Sequence, residues 1–167
     1  RDLVLDKSPK DFDVVTEATP EQIKKTIPKS RIIGSRFKLV HVRKGRKITE
    51  VSTFRSKGGK RTSKTNKGII LRDNFYGTIR EDAFRRDFTI NSLYLDINEM
   101  KIIDYTGGFN DLNNGQLKSI GDSKLRFRED PIRIIRAVRF LSNLNLKIRN
   151  SLKNDLINFA HLLQDIP

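Results

Sequence analysis

The sequence predicts an α+β fold: a mixed strand-and-helix domain comes first and an all-α segment follows it. Three observations carry this. Runs of β-branched and aromatic residues occupy the first part of the chain, apolar residues recur at helical spacing beyond residue 131, and no internal repeat links the two. The 167 residues suit one domain, or one domain and part of a second. A hydrophobic content of 36% with ten Phe is enough for a packed core.

Residues 10–16, Lys-Asp-Phe-Asp-Val-Val-Thr, end at a Thr-Glu-Ala-Thr-Pro turn and are expected to form a short strand. Thr19 then caps a helix that Pro20 opens and that ends near Pro28. Residues 31–42 and 47–54 alternate as two further strands, joined as a hairpin through Arg43-Lys44-Gly45-Arg46. Arg55 to Gly68 is Gly, Ser, Thr, Asn and six basic residues without an acid, the composition of a mobile basic loop. Residues 81–95 look helical around Ala83-Phe84 and Leu93-Tyr94, although Phe88-Thr89-Ile90 blurs the period. A strand at 101–104, a Gly107-Gly108 turn and a segment ending in Gly121-Asp122 come next. A strong helix runs from about Pro131 to Leu144 with Ile132, Ile135, Val138 and Leu141 at helical spacing, and a last helix covers 150–164.

The charge is unevenly placed. The chain carries 34 Lys and Arg against 20 Asp and Glu, a net +14, and residues 21–68 alone hold 16 basic residues and two acids, Glu21 and Glu50. All the net charge therefore lies in one stretch, as on a surface that faces a polyanion; a solvated face is the plain alternative. Salt dependence of nucleic-acid binding separates the two. Cysteine is absent, which excludes disulfides, thiolate zinc sites and Cys nucleophiles and fits a reducing, cytoplasmic setting. Apolar runs such as Ile69-Ile70-Leu71 are too short for a membrane span, and no charged-then-apolar leader precedes them, so no membrane partner is expected.

Asp11 and Asp13, one residue apart on a strand, share a face at roughly 6.5–7 Å between Cα atoms, with Phe12 and Val14 turned to the core. Such a pair is either two surface acids or a site for a divalent cation, and oxygen ligands select Mg²⁺ or Mn²⁺. With phosphates as further ligands, the pair can hold two metals about 3.5–4 Å apart. Glu50 is a further candidate ligand if its strand neighbours the pair, or it simply pairs with a base. Arg85-Arg86-Asp87-Phe88-Thr89-Ile90-Asn91 holds guanidinium forks suited to phosphate oxygens beside an acid and an amide that can meet ribose hydroxyls; an ion-pair knot reads equally well. In Glu129-Asp130-Pro131-Ile132-Arg133, Asp130 caps a helix and Glu129 reaches Arg133 at i,i+4, or Asp130 and Arg133 together face the edge of a base; Arg136 and Arg139 continue the basic side. His41 and His161 stand without a second His or Cys nearby, and Gly58-Gly59-Lys60 is too short for a phosphate loop.

The stretches RDLVLDKSPKDFDVVTEATPEQ, RIIGSRFKLVHV, EVSTFR, LRDNFYGTIREDAFRRDFTINSLYLD, DYTGGFNDL and RFREDPIRIIRAVRF, in that order, resemble the class II nucleotidyltransferase family of bacterial poly(A) polymerases and tRNA CCA-adding enzymes. Phe37 to Val42, Glu50 to Arg55, Leu71 to Asp96 and the closing Leu162 to Pro167 are closer to the poly(A) polymerase branch. The resemblance implies a polymerase-β-like head over residues 1–114 and the start of a helical neck over 115–167. It implies that Asp11, Asp13 and Asp87 are the catalytic acids, that Asp11 and Asp13 bind Mg²⁺ or Mn²⁺, with Glu50 kept as the further candidate ligand named above, and that ATP is the substrate. Arg1, Asp2, Arg86, Asn91 and Arg136 would meet the nucleotide, and Asp130 with Arg133 would act as an amino-acid template for its base. The basic stretch, with Arg55, Lys57, Lys60, Arg61, Lys64 and Lys67, would hold the RNA primer at its 3′ end. The implied activity is template-independent addition of AMP to RNA; the alternatives are CCA addition to tRNA and a non-catalytic RNA-binding module. Three departures stand out: the family's Gly-Gly pair would fall just ahead of Arg1, so a fragment cut inside its phosphate cradle is expected; Ser35 replaces a basic residue; and Arg80 stands where poly(A) polymerases often carry Glu.

Overall fold

Four strands order the first part of the chain. β1 (Asp13–Thr16), β2 (Arg31–Ile33), β3 (Leu39–Lys44) and β4 (Lys47–Thr53) form a sheet in the order β1-β4-β3-β2. β1 runs parallel to β4 and the other pairs are antiparallel. The parallel pair needs a crossover, which contains α1 (Pro20–Thr26). α1 starts as the sequence predicts: Thr19 Oγ1 accepts from the Gln22 N–H and the Gln22 side chain accepts from the Thr19 N–H, with Pro20 in the first turn. Ile23 on α1, Val40 and Val51 make the buried centre, supported by Ala18, Ile32 and Val42.

This computed structural model describes residues 1–9, 11–34, 37–57 and 75–166. They form two compact units: residues 7–57 with 75–85, and residues 1–6 with 86–166. α2 (Ile79–Arg85) closes the first unit, and Asp82 on it accepts from the Arg55 N–H at 3.1 Å.

The second unit is mostly helical. After a 3-10 turn at Thr89–Asn91, β5 (Leu93–Asp96) and β6 (Lys101–Asp104) pair antiparallel. α3 (Gly108–Asn113) follows, then β7 (Gln116–Leu117), α4 (Ser123–Glu129), α5 (Ile132–Leu144), β8 (Lys147–Ile148), parallel to β7, and α6 (Asn150–Phe159) with a terminal 3-10 turn. Phe88, Ile90, Leu112, Leu117, Phe127, Ile134, Ala137 and Phe140 form its core, closed by Leu152 and Leu156. No helix of the described residues is long and apolar enough to cross a membrane.

The structure corrects several expectations. The strand expected over 31–42 is two strands, because Gly34 sits at φ +82° and an added Cβ there would run into the Phe37 carbonyl. The helix expected over 81–95 stops at Arg85; Asp87 accepts from the Phe88 N–H, and the β-branched stretch then enters the 3-10 turn and β5. α3 and α4 are additions to the expected elements: Asp122 caps α4 directly, and Asp104, four residues ahead of α3, accepts from the Gly108 and Phe109 N–H groups. Phe12 and Val14 do not face a core: they are 63% and 45% exposed, since α1 packs over β2 and β3 while β1 lies at the sheet edge. On α5 the stripe of Ile132, Ile135 and Val138 is exposed, and Ile134, Ala137 and Phe140 are the buried side. Ser35 and the basic loop beyond residue 57 lie outside the described residues.

Candidate functional site

The sheet gathers acids into a row. Parallel pairing sets Asp13 opposite Glu50, antiparallel pairing sets Glu50 opposite His41, and His41 lies opposite Arg31, so all four occupy one face. His41 Nε2 approaches Glu50 Oε1 to 3.3 Å. Asp13 opens the edge strand and Asp11 lies two residues ahead of it, outside the strand although the sequence starts that strand at residue 10; both are exposed. Among the described residues, no three Asp, Glu, His or Cys side chains converge as a ready-made metal set. What the row offers is two exposed Asp carboxylates and a neighbouring Glu, the hard oxygen donors that Mg²⁺ takes when substrate phosphates complete its shell. The donor set fits the ion.

In the second unit, five residues named from the sequence join into one hydrogen-bonded chain. Arg1 Nε meets Asp2 Oδ1 at 2.9 Å and Arg1 Nη1 donates to Asn91 Oδ1 at 2.9 Å. Asn91 Nδ2 donates to Asp87 Oδ1 at 3.3 Å, and the other Asp87 oxygen is paired with Arg136 Nε. The Asp87 carboxylate is 6% exposed while the Arg136 side chain is 45% exposed, so the acid anchors and the guanidinium presents. Both Arg1 and Arg136 lie 5.5 Å from the Phe140 ring, which packs edge-on against Phe88. The 3-10 turn at 89–91 aims Asn91, and Gly108 on α3 supports that turn, lying against the Thr89 carbonyl where a Cβ would collide. Arg86 sits 5.7 Å over the Tyr94 ring, and its carbonyl accepts from buried Arg126.

The start of α5 is more tightly tied than the sequence suggests. Glu129 Oε2 accepts from Arg126 Nη1 at 2.7 Å and from Arg133 Nη1 at 3.1 Å, and Arg133 also donates to the Arg126 carbonyl. Burial and the nearby Arg133 charge lower the pKa of the Arg126 guanidinium, and Glu129 raises it. Asp130 Oδ1 accepts from the Ile132 N–H at 3.2 Å. Asp130 thus caps α5 and Glu129 holds Arg133 at i,i+4, the structural alternative read from the sequence; these bonds use only Asp130 Oδ1 and Arg133 Nη1, so the base-facing alternative is open to the other oxygen and the other N–H groups.

Residues 1–118 match the family described as "Poly A polymerase head domain". The chain belongs to the poly(A) polymerase head-domain family. It is 48% identical to Poly(A) polymerase I of Salmonella typhi over 100% of this chain and 37% of that protein. It is 36% identical to the CCA-adding enzyme of Lactobacillus helveticus over 99% of this chain and 40% of that protein. Among solved structures, the Bacillus stearothermophilus CCA-adding enzyme in complex with CTP aligns with a TM-score of 0.85 at 32% identity, covering 99% of this chain and 38% of that one. The chain thus spans under half the length of these relatives, and the α+β nucleotidyltransferase fold expected from the sequence is the one they share.

For a poly(A) polymerase head domain, the basic stretch is only partly in view. Arg55 lies 5.2 Å over the Phe37 ring and Lys57 is exposed, whereas Lys60, Arg61, Lys64 and Lys67 lie outside the described residues. His41, read as isolated, is the partner of Glu50. The sequence held the signal: with a two-residue turn at Gly45-Arg46, period-2 pairing sets residue 41 opposite 50. Buried Arg126, which ties Glu129 to the Arg86 carbonyl, had no sequence signal beyond its family-like motif.

Proposed function

We propose that this chain is the catalytic head, residues 1–114, and the start of the neck, residues 115–167, of a polynucleotide adenylyltransferase working on RNA in the cytoplasm. The 3′ hydroxyl of the RNA attacks the α-phosphate of ATP; a new P–O bond forms, the bond to pyrophosphate breaks, and the chain grows by one AMP. The observation that carries this reading is the carboxylate row, with Asp11 and Asp13 beside Glu50. Asp11 and Asp13 hold Mg²⁺ or Mn²⁺, and Glu50 adds a third carboxylate. Bound there, the ion supplies charge neutralisation and Lewis acidity at the phosphoryl oxygens. Asp87 fixes Arg136 and Asn91, so that with Arg1, Asp2 and Arg86 they contact the sugar and phosphates without further ordering. Asp130 accepts and Arg133 donates along the edge of adenine, which makes a nucleic-acid template unnecessary. The basic residues from Arg55 to Lys67 hold the primer.

The higher identity to poly(A) polymerase I supports AMP addition over CCA addition. The test uses the full-length protein, a labelled unstructured RNA and ATP with Mg²⁺. Asp13→Ala is expected to lower extension about a thousandfold, the equivalent of roughly 4 kcal/mol of transition-state stabilisation. Asp13 is exposed, so the melting temperature should stay within a degree or two of the parent. Retained extension refutes the metal assignment, and CTP incorporation confined to tRNA ends refutes the AMP assignment.

A further inference from the structure

We propose that the tip of the β3–β4 hairpin is a backbone-phosphate clamp for the RNA strand being extended, built from residues other than the 55–67 stretch. The proposal rests on the adenylyltransferase reading, because the carboxylate row marks the reacting end.

The tip is tight. β3 ends at Lys44, β4 begins at Lys47, and Gly45 takes φ +62° in the two-residue turn. Arg43, Lys44, Arg46 and Lys47 put four cations into five positions, and all are exposed. Among the described residues, none of the four has a side-chain hydrogen bond or ion pair. Lys44 and Lys47 stand directly opposite each other in the ladder, a like-charge pairing that weakens a hairpin. β3 and β4 are the inner strands of the sheet, but β2 pairs β3 only as far as His41 and β1 pairs β4 only from Glu50, so the tip is a two-stranded ribbon with open edges that its lysines also guard. Two lysines would guard those edges without facing each other or being joined by two arginines, so the like-charge cluster points to a ligand that neutralises the tip.

The position selects that ligand. Arg43 shares a face with His41, Glu50 and Asp13, whereas Lys44 and Lys47 point to the opposite face, so the cations line both sides of the ribbon. Lys47 lies three residues before Glu50, roughly 10 Å along the strand. β1 begins at the register of Glu50, so the carboxylate end of the sheet and the hairpin tip share one edge. A polyanion whose reacting end sits at the carboxylates therefore passes over the tip with its next phosphates, and Arg forks and Lys point charges suit them. A single-stranded RNA backbone meets this description. An anionic membrane surface fits less well, since Ile48 is the one large apolar side chain exposed on the hairpin.

The experiment compares the full-length protein with R43Q/K44Q/R46Q/K47Q, using a 5′-labelled oligoadenylate as primer between 50 and 200 mM salt. The variant is expected to raise KM for RNA and leave KM for ATP in place. Its salt dependence should be shallower, the loss of affinity across that range shrinking by about 2.6-fold for each missing contact and about fifty-fold for four. R43K/R46K keeps the charge and should keep the parental slope, which separates charge from hairpin integrity. An unchanged RNA KM and slope, a rise confined to the ATP KM, or a loss of binding to phosphatidylserine vesicles without any change toward RNA would each overturn the clamp. If the parent makes no extended product, the adenylyltransferase reading fails, and filter retention of the same RNA by parent and variant still decides whether the tip binds it.

Discussion

Removing the negative charge of Asp104 should loosen the support beneath Asn91. Its Oδ1 accepts from the N–H groups of Thr106, Gly107 and Gly108 at 2.9–3.1 Å, and Oδ2 from that of Phe109 at 2.9 Å. One carboxylate thus satisfies the turn and the first donors of α3, whose Gly108 backs the Thr89 carbonyl. Gly108 is buried, so its N–H loses its only route to an acceptor, at about 1–3 kcal/mol; the three more exposed donors regain water and cost about 1 kcal/mol each. Asp104→Ala should therefore destabilise by about 4–6 kcal/mol, lowering Tm by roughly 10–20 °C. Asp104→Asn keeps one acceptor oxygen and should lose about half of that. Burial alone would raise the pKa of this carboxyl, but the N–H groups of Phe109, Thr106, Gly108 and Gly107 outweigh it and the net direction is down. A depressed folded-state pKa gives stability that is complete above the ordinary carboxylate range and disappears as pH falls through the folded value. Urea melts of parent and Asp104→Asn from neutral to acidic pH should therefore converge. Equal stability at neutral pH, or a gap that stays constant as pH falls, refutes the argument.

Gly108→Ala drives a methyl group into the Thr89 backbone and should cost about 1–3 kcal/mol in a thermal melt, the usual range for overpacking. Glu129→Ala strips the acid partner from Arg126, whose side chain is 4% exposed, and should cost about 3 kcal/mol by urea denaturation, with Glu129→Gln recovering part of it. Asp87→Asn keeps the size but drops the charge that fixes Arg136; because Arg136 can rehydrate, stability should fall by only about 1–2 kcal/mol. Extension of labelled RNA by the same full-length variant should fall at least about a hundredfold, and a melt matched to the extension assay separates the two effects.

Local signals carried well from sequence to structure. The Thr19-Pro20 helix start, the hairpin across Gly45, the helix after Pro131 and the strand at 101–104 depend on neighbours within a few residues, and each formed where those neighbours required. Long-range pairing did not carry. Nothing local sets Asp13 beside Glu50, because a parallel pair joins strands thirty-odd positions apart through a crossover. α3 escaped notice because its cap, Asp104, sits four residues upstream across a Gly-Gly turn that reads as a break. The acids and guanidiniums of the candidate site were legible as residue types, and the chain Asp2-Arg1-Asn91-Asp87-Arg136 joins them as the sequence could not. For Phe12 and Val14, alternation assigned a face correctly in principle but could not say that the cover above it stops short of the edge strand.

Phe140 has a double allegiance. One edge of its ring locks against Phe88 in the apolar interior, and the guanidiniums of Arg1 and Arg136 both rest near it. Two like charges thereby share one aromatic neighbour whose tilt is dictated from below. A repacking that rotates this ring should shift both cations together, and on the proposed adenylyltransferase reading a mutation that never touches substrate would then read out as a change in ATP affinity.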